Sequence, residues 1–186
     1  MLMPEQNCTR DFEQEALPHL DAAYNLARWL TCNDQDAQDV VQEAYMRAFR
    51  FFGESRGANV RSWLLRIVRN TCYTWLQPNR LQQPATKFDE ELFERDPDAQ
   101  NLEEALLRSD SGKLLRQALE SLPARSREVL VLRELQGMTH KEISEVTGMP
   151  CGTVMSSLSR ARSRLRLALT HLVDADTGQD PCVSRL

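Results

Sequence analysis

Apolar residues along this chain recur at intervals of three and four rather than two. Leu20, Tyr24 and Ala27 form one set. Val40, Val41, Ala44, Tyr45, Ala48, Phe49 and Phe52 form a second, and Val60, Trp63, Leu64, Ile67, Val68 and Trp75 a third. Each set is the stripe of an amphipathic helix, and no strand alternation competes with it. Asn33-Asp34 suits the start of the second helix and Asn59 the start of the third, because a short polar side chain accepts from the unpaired N–H groups of a first turn. Gly53 and Gly57 mark the break between them. Three or more packed helices follow, in a unit of residues 1–77.

A second helical unit is expected over 110–173. Asp110 or Ser111 opens a helix carrying Leu114, Leu115, Ala118 and Leu119. Ser121-Leu122-Pro123 then places proline where a helix's first turn accepts it, and the next helix runs to Gln136. Thr139 and Glu142 form a T-x-x-E capping box, Ile143 and Val146 face inward, and Gly148 supplies the left-handed residue that ends a helix. Pro150 and Gly152 prevent simple continuation. From Thr153 a long helix buries Val154, Leu158, Ala161, Leu165, Leu169 and Leu172, leaving Thr153, Ser156, Ser157, Arg160 and Arg164 outward.

A helix of two turns is too short to stand alone, so the Thr139–Gly148 helix reads as a brace that fixes the angle of the next. That is how a helix-turn-helix presents its recognition helix to the major groove. The outward hydroxyls and arginines are side chains that bond base edges and phosphates. An ordinary helical hairpin with a solvated basic face is the competing interpretation.

Between the units, Pro78 through Pro84 and Pro97 to Ser109 lacks periodic apolar residues and reads as a flexible linker over 78–109. Asp89 to Glu104 holds eight acidic side chains against Arg95 alone. The chain's net charge of −4 thus conceals a remainder of +3, and Gly152 to His171 carries Arg160, Arg162, Arg164 and Arg166 with no acid. After 173 a polar tail remains. The fold class is therefore all-α, two small helical domains joined by an acidic linker.

The 186 residues, 41% of them hydrophobic, suit two small domains. No basic leader, apolar leader block or membrane span occurs, which points to a soluble cytoplasmic protein with no membrane insertion. The five cysteines form no C-x-x-C pair and are joined by only three histidines, so neither a metal site nor a disulfide framework nor any cofactor is expected. Cys182 in the tail is either a sensor thiol or inert. No G-x-x-x-x-G-K-S, H-E-x-x-H or G-x-S-x-G pattern is present, which argues against an enzyme.

DAQDVVQEAYMRAFRFF (Asp36–Phe52) and NVRSWLLRIVRNTCYTWL (Asn59–Leu76) closely resemble the second conserved region of bacterial extracytoplasmic-function sigma factors. LPARSREVLVLRELQGMTHKEISEVTGMPCGTVMSSLSRARSRLR resembles the fourth region of the same family. The resemblance implies a dissociable, non-catalytic initiation subunit of RNA polymerase. Its first domain reads and opens the minus-ten element, and its second reads the duplex minus-thirty-five element. In the family, the helix matching Asp36–Phe49 packs on a coiled coil of the polymerase core, which assigns Asp39, Gln42, Glu43 and Arg47 to that contact.

The following segment interleaves Arg56, Asn59, Arg61, Arg66, Arg69 and Asn70 with Trp63 and Trp75. Cations that follow a backbone, and a loop that pockets an unstacked base, are what capture of melted minus-ten DNA requires. The two indoles read as core instead, leaving Arg66, Arg69 and Asn70 exposed. Thr153, Ser156, Ser157, Arg160 and Arg164 are assigned to the minus-thirty-five element. Met155-Ser156-Ser157 departs from the family pattern, where a basic residue often follows G-T-V. An anti-sigma factor is the regulatory partner the family implies, and the acidic linker is a candidate competitor for Arg160–Arg166. The rival reading is a self-contained helix-turn-helix regulator whose N-terminal helices dimerise or bind a ligand.

Overall fold

The computed structural model describes residues 4–54, 59–77 and 110–176, and every regular element among them is helical. Arg56 and Gly57, the acidic segment 78–109 and the tail after 176 lie outside the described residues. In chain order the elements begin with α1 (Pro4–Ala16), a 3-10 turn (Leu17–His19), α2 (Leu20–Thr31), α3 (Asp34–Phe51), a 3-10 turn (Phe52–Glu54) and α4 (Val60–Trp75). They continue with α5 (Asp110–Glu120), α6 (Ala124–Leu130), a π-helical turn (Val131–Leu135), α7 (His140–Thr147) and α8 (Cys151–Asp176).

The first unit is the mutual packing of α2, α3 and α4. Ala23, Ala27, Ala37, Ala44 and Ala48 are fully buried and let the helices approach closely around Leu26, Val40, Leu64, Leu65 and Val68. As expected, Asn33 and Asn59 are N-caps, their side-chain oxygens accepting from the N–H groups of Asp36 and Ser62. Cys32 takes the left-handed conformation, φ 57°, to turn α2 into α3. Helix α1 has no apolar stripe in the sequence, because only Phe12 and Ala16 of its last turns reach the core. Phe12 meets Tyr45, Phe49 and Phe52 edge-on at 5.2 to 6.2 Å between ring centroids, and the Tyr45 hydroxyl donates to the Ala16 carbonyl at 3.0 Å. Trp63 and Trp75 are half-buried against this core, as the spacing predicts.

In the second unit α8 is the long strut against which α5, α6 and α7 pack. Pro123 stands one position before the expected first turn, as the N-cap of α6. The helix expected to run to Gln136 widens at Val131, so that the Gln136 N–H reaches the Val131 carbonyl at 3.0 Å. Leu115, expected in the core, is 37% exposed. The short α7 forms as predicted: the Thr139 hydroxyl accepts from the Glu142 N–H, the Glu142 carboxylate accepts from the Thr139 N–H, and Gly148 closes the helix at φ 72°. The Ser144 hydroxyl then donates to the Met149 carbonyl at 2.6 Å and fixes the turn into α8.

The two units do not stand apart. Buried residues of both form one continuous apolar cluster, in which α4 lies along α7 and α2 lies against α6 and the π-helical turn.

The Thr139 N–H and hydroxyl, chiefly, hold the Glu142 carboxyl below its ordinary range. Thr139→Ala should cost about 1 kcal/mol in urea unfolding at neutral pH. A carboxyl whose folded-state pKa is depressed contributes fully above its unfolded-state value, and that contribution is lost as pH falls through the folded-state one. The gap between parent and variant should therefore narrow below about pH 4; a gap that holds constant would assign the loss to the cap on the Glu142 N–H rather than to the bond with its carboxylate.

Candidate nucleic-acid interface

Helix α8 begins immediately after the Gly148–Pro150 turn, and its core face is Val154, Leu158 and Ala161. The opposite face is open. Thr153, Ser156, Arg160 and Arg164 are exposed while Ser157 is half-buried, and Met155, which marks the departure from the family pattern, and Ser159 are exposed beside them. Met155, at 54% exposure, is an apolar group among hydroxyls and suits contact with a thymine methyl.

The arginines are not equivalent. Arg162 makes a two-pronged ion pair with Glu134, at 2.7 and 3.0 Å, an acid outside the acid-free run counted along the sequence. Arg164 turns toward α6, where it donates to the Ser126 hydroxyl at 2.9 Å. The Arg160 guanidinium donates to the Ser156 carbonyl at 3.3 Å and remains exposed at the open end of the helix.

On α3, Asp39, Gln42, Glu43 and Arg47 lie half-buried along one stripe, with Arg47 donating to Glu43 one turn away. Met46, Phe49 and Phe51 are large apolar residues exposed on the same helix, at 41, 44 and 54%. An exposed apolar group of this kind beside fixed charges suits a protein partner more than solvent.

Helix α4 divides its predicted residues. Arg66 and Asn70 are exposed. Arg69, expected on the same exposed face, is instead held by Glu128 of α6, and its guanidinium lies 4.7 Å over the Tyr73 ring. Glu128 is 1% exposed and also accepts from the Tyr73 hydroxyl at 2.9 Å. Burial, then the neighbouring Glu128, pushes the Tyr73 phenol well above its ordinary value, so it stays a donor. The buried Cys72 thiol is pushed up to about 12, chiefly by desolvation.

Arg61 donates to the Gln136 carbonyl at 2.7 Å and to its side-chain oxygen at 3.2 Å, and the Asn59 side chain accepts from the Ser62 N–H at 3.3 Å. Neither Glu128 nor Gln136 was singled out by the sequence. The available signal was a carboxylate set within the apolar run of R-E-V-L-V-L, which must find a cation or remain outside.

Among the described residues no three His, Cys, Asp or Glu side chains gather where a metal could bind. Cys32, Cys72 and Cys151 are free thiols. No helix among the described residues is long and apolar enough to cross a membrane.

Residues 17–81 match the family model of sigma-70 region 2, and residues 112–165 that of sigma-70 region 4. The chain is 37% identical over 146 residues to the RNA polymerase sigma-H factor of Pseudomonas aeruginosa, covering 75% of this chain and 76% of that one. It is 34% identical over 137 residues to the ECF RNA polymerase sigma-E factor of Escherichia coli, covering 70% and 72%. In three dimensions it is similar to the sigma factor RpoE of Bartonella quintana, solved in complex with the anti-sigma factor NepR. That likeness has a TM-score of 0.65 at 25% identity and spans 87% of this chain and 98% of the other.

If the open end of α8 meets a phosphate backbone, Arg160→Ala should weaken duplex binding and shallow its salt dependence by about one counterion. Glu134→Gln, which releases Arg162, should steepen it. Anisotropy titrations of a duplex at graded KCl read both, and parallel slopes for all three proteins would remove these arginines from the interface.

Proposed function

Because the chain belongs to the extracytoplasmic-function branch of the sigma-70 family of RNA polymerase sigma factors, we propose that its two units divide promoter recognition between double-stranded and opened DNA. Sigma factors are non-enzymatic initiation factors, and the work here is binding and orientation. The observation that carries this reading is the helix-turn-helix of α7 and α8, whose capping box and left-handed Gly148 fix an unobstructed α8 within the region-4 match.

In this reading α3 docks on the polymerase core through Asp39, Gln42, Glu43 and Arg47, with Met46 and Phe49 adding apolar area at the centre of the contact. Helix α8 enters the major groove of the minus-thirty-five element with Thr153, Ser156, Met155 and Arg160 toward base edges. Ser157 and Arg164 sit at the flank, where phosphates pass. The minus-ten element is read after it opens. Asn59 meets a displaced base, while Arg61, Arg66, Arg69 and Asn70 follow its backbone. Arg66 and Asn70 are exposed for this; Arg61 and Arg69 have to leave their present partners first. Binding of this kind favours the open complex because a single strand offers contacts that a closed duplex does not.

An anti-sigma factor is the regulator this reading implies. It would act by covering α3 and α8, the two faces that must both be free. The similarity to a sigma factor solved with its anti-sigma factor supports that expectation.

Reconstituted run-off transcription tests the reading, since core polymerase should initiate at a cognate promoter only when this chain is present. Duplex binding without any polymerase-dependent transcript would instead identify a self-contained regulator. Arg47→Glu should lower affinity for core about tenfold, as loss of a charged contact does, with an unchanged helical signal. Asn59→Ala should reduce transcripts from a duplex template more than from one with a pre-melted bubble. Equal losses on both templates would confine Asn59 to capping α4.

A further inference from the structure

Past Ala161, one side of α8 carries a groove with an apolar floor. Leu165, Leu169 and Val173, each one turn from the next, form that floor, and Arg162 and Arg166 stand along its rim. Val173 is 46% exposed, while Leu165 and Leu169 are half-buried. At about 100° per residue, Arg166 lies about 120° round the helix from Arg160 and Leu169 about 180°. The groove is therefore distinct from the face assigned to duplex DNA. Arg162 is already engaged by Glu134, so the exposed Arg166 is the rim charge left for an acid.

An apolar floor under a cationic rim suits an acidic segment that carries large apolar side chains, and the chain contains one. The linker has no sustained stripe, yet Phe88, Leu92 and Phe93 fall within six positions of it, interleaved with Asp89, Glu90, Glu91 and Glu94. A second copy of the groove would be a poorer occupant, because Gly152–His171 holds no acid and would add arginines to arginines. From this complementarity we propose that Phe88–Glu94 docks along α8, its apolar side chains on Leu165, Leu169 and Val173 and its carboxylates toward Arg166.

The segment lies outside the described residues, but its reach is set by the covalent chain. Residues 95–109 join it to α5, which itself packs on α8. Extended, they span up to about 50 Å at about 3.3 Å per residue. The 26 residues of α8 measure about 39 Å, so every point of the groove is accessible. A tether of this length holds the segment at an effective concentration in the millimolar range, so a weak intrinsic affinity suffices. Burial of the three apolar side chains supplies most of it, and the exposed arginine, worth less, selects an acidic occupant.

Docking leaves Thr153, Ser156 and Arg160 open and changes the tether between the units instead. Only residues 78–87 then remain to bridge them, with a reach of about 33 Å in place of about 105 Å for all of 78–109. On the reading that the two units engage separate promoter elements, the docked segment limits the spacer they can span.

Trypsin acting on the native full-length chain tests the dock, because a held segment is cleaved only from its released fraction. Lys87 and Arg95 flank the docked stretch, while Arg80 and Arg108 lie further out in the same linker and serve as references. Leu169→Ser should raise cleavage at Lys87 and Arg95 about tenfold, and Arg166→Glu about threefold, with Arg80, Arg108 and circular dichroism as in the parent. Leu92→Ser, a change outside the helix, should match Leu169→Ser at Lys87 and guards against a folding defect in that variant. Rates at Lys87 and Arg95 that stay parental in helical Arg166→Glu and Leu92→Ser overturn the dock. Protection that strengthens with chain concentration assigns the groove to a second copy and overturns it equally.

Run-off transcription from promoters of graded spacer length separates the dock from its role. Leu92→Ser should initiate on longer spacers than the parent does. Lost protection with a parental spacer limit refutes the limit on span. Protection in a parent that yields no polymerase-dependent transcript at any spacing leaves the dock standing and removes the sigma-factor role.

Discussion

A carboxylate taken out of water must be met by donors or it does not remain a carboxylate, and Glu128 imposes that demand on the whole molecule. Its own unit places it between Arg127 and Val129 in a helix that is buried at every one of these positions. The donors come from α4, where Arg69 and Tyr73 are one turn apart and reach the same group. This meeting and the apolar cluster that the two units share hold the second unit against the first, and the Arg61–Gln136 contact falls along the same line. A surface ion pair would not carry such weight; a desolvated one does, because leaving either partner alone is far worse than leaving both in water.

The helix-turn-helix depends on a different economy of contacts. Eight residues of α7 supply little helical stability of their own. The Thr139–Glu142 reciprocity satisfies the first turn, Gly148 satisfies the last, and Ile143 and Val146 anchor the middle. In the proposed reading the role of α7 is angular, and the exposed residues of α8 acquire their direction from it.

Much of this was legible along the chain because it is local. Asn33, Asn59, the T-x-x-E box and Gly148 act within one turn of themselves, and the apolar stripes of α2, α3, α4 and α8 repeat at helical period. The order of the two family regions is likewise linear. Helix α1 was missed since from Thr9 to its end only Phe12 and Ala16 are buried, too few to set a repeating stripe. The roles of Arg61 and Arg69 were only half visible, because their acceptors lie 75 and 59 positions away. Arg162 shows the same limit on a smaller scale. A count over Gly152–His171 finds no acid, yet Glu134 reaches it from 28 positions upstream.

The widened turn at Val131–Leu135 gives the molecule a register. Because the Gln136 N–H closes on Val131 rather than on the residue after it, the chain leaves α6 rotated relative to an unbroken α-helix, by about 100° for the one residue accommodated. The carbonyl that Arg61 uses is aimed by that rotation. Deleting one residue between 131 and 135 would restore ordinary pitch and redirect α7 and α8 together, leaving every side chain of the recognition helix intact. The bearing of the DNA-reading face toward α4 is therefore set by backbone winding as much as by the side chains that meet across it, and relatives that differ by a single insertion at this turn would present the same recognition helix along a different heading.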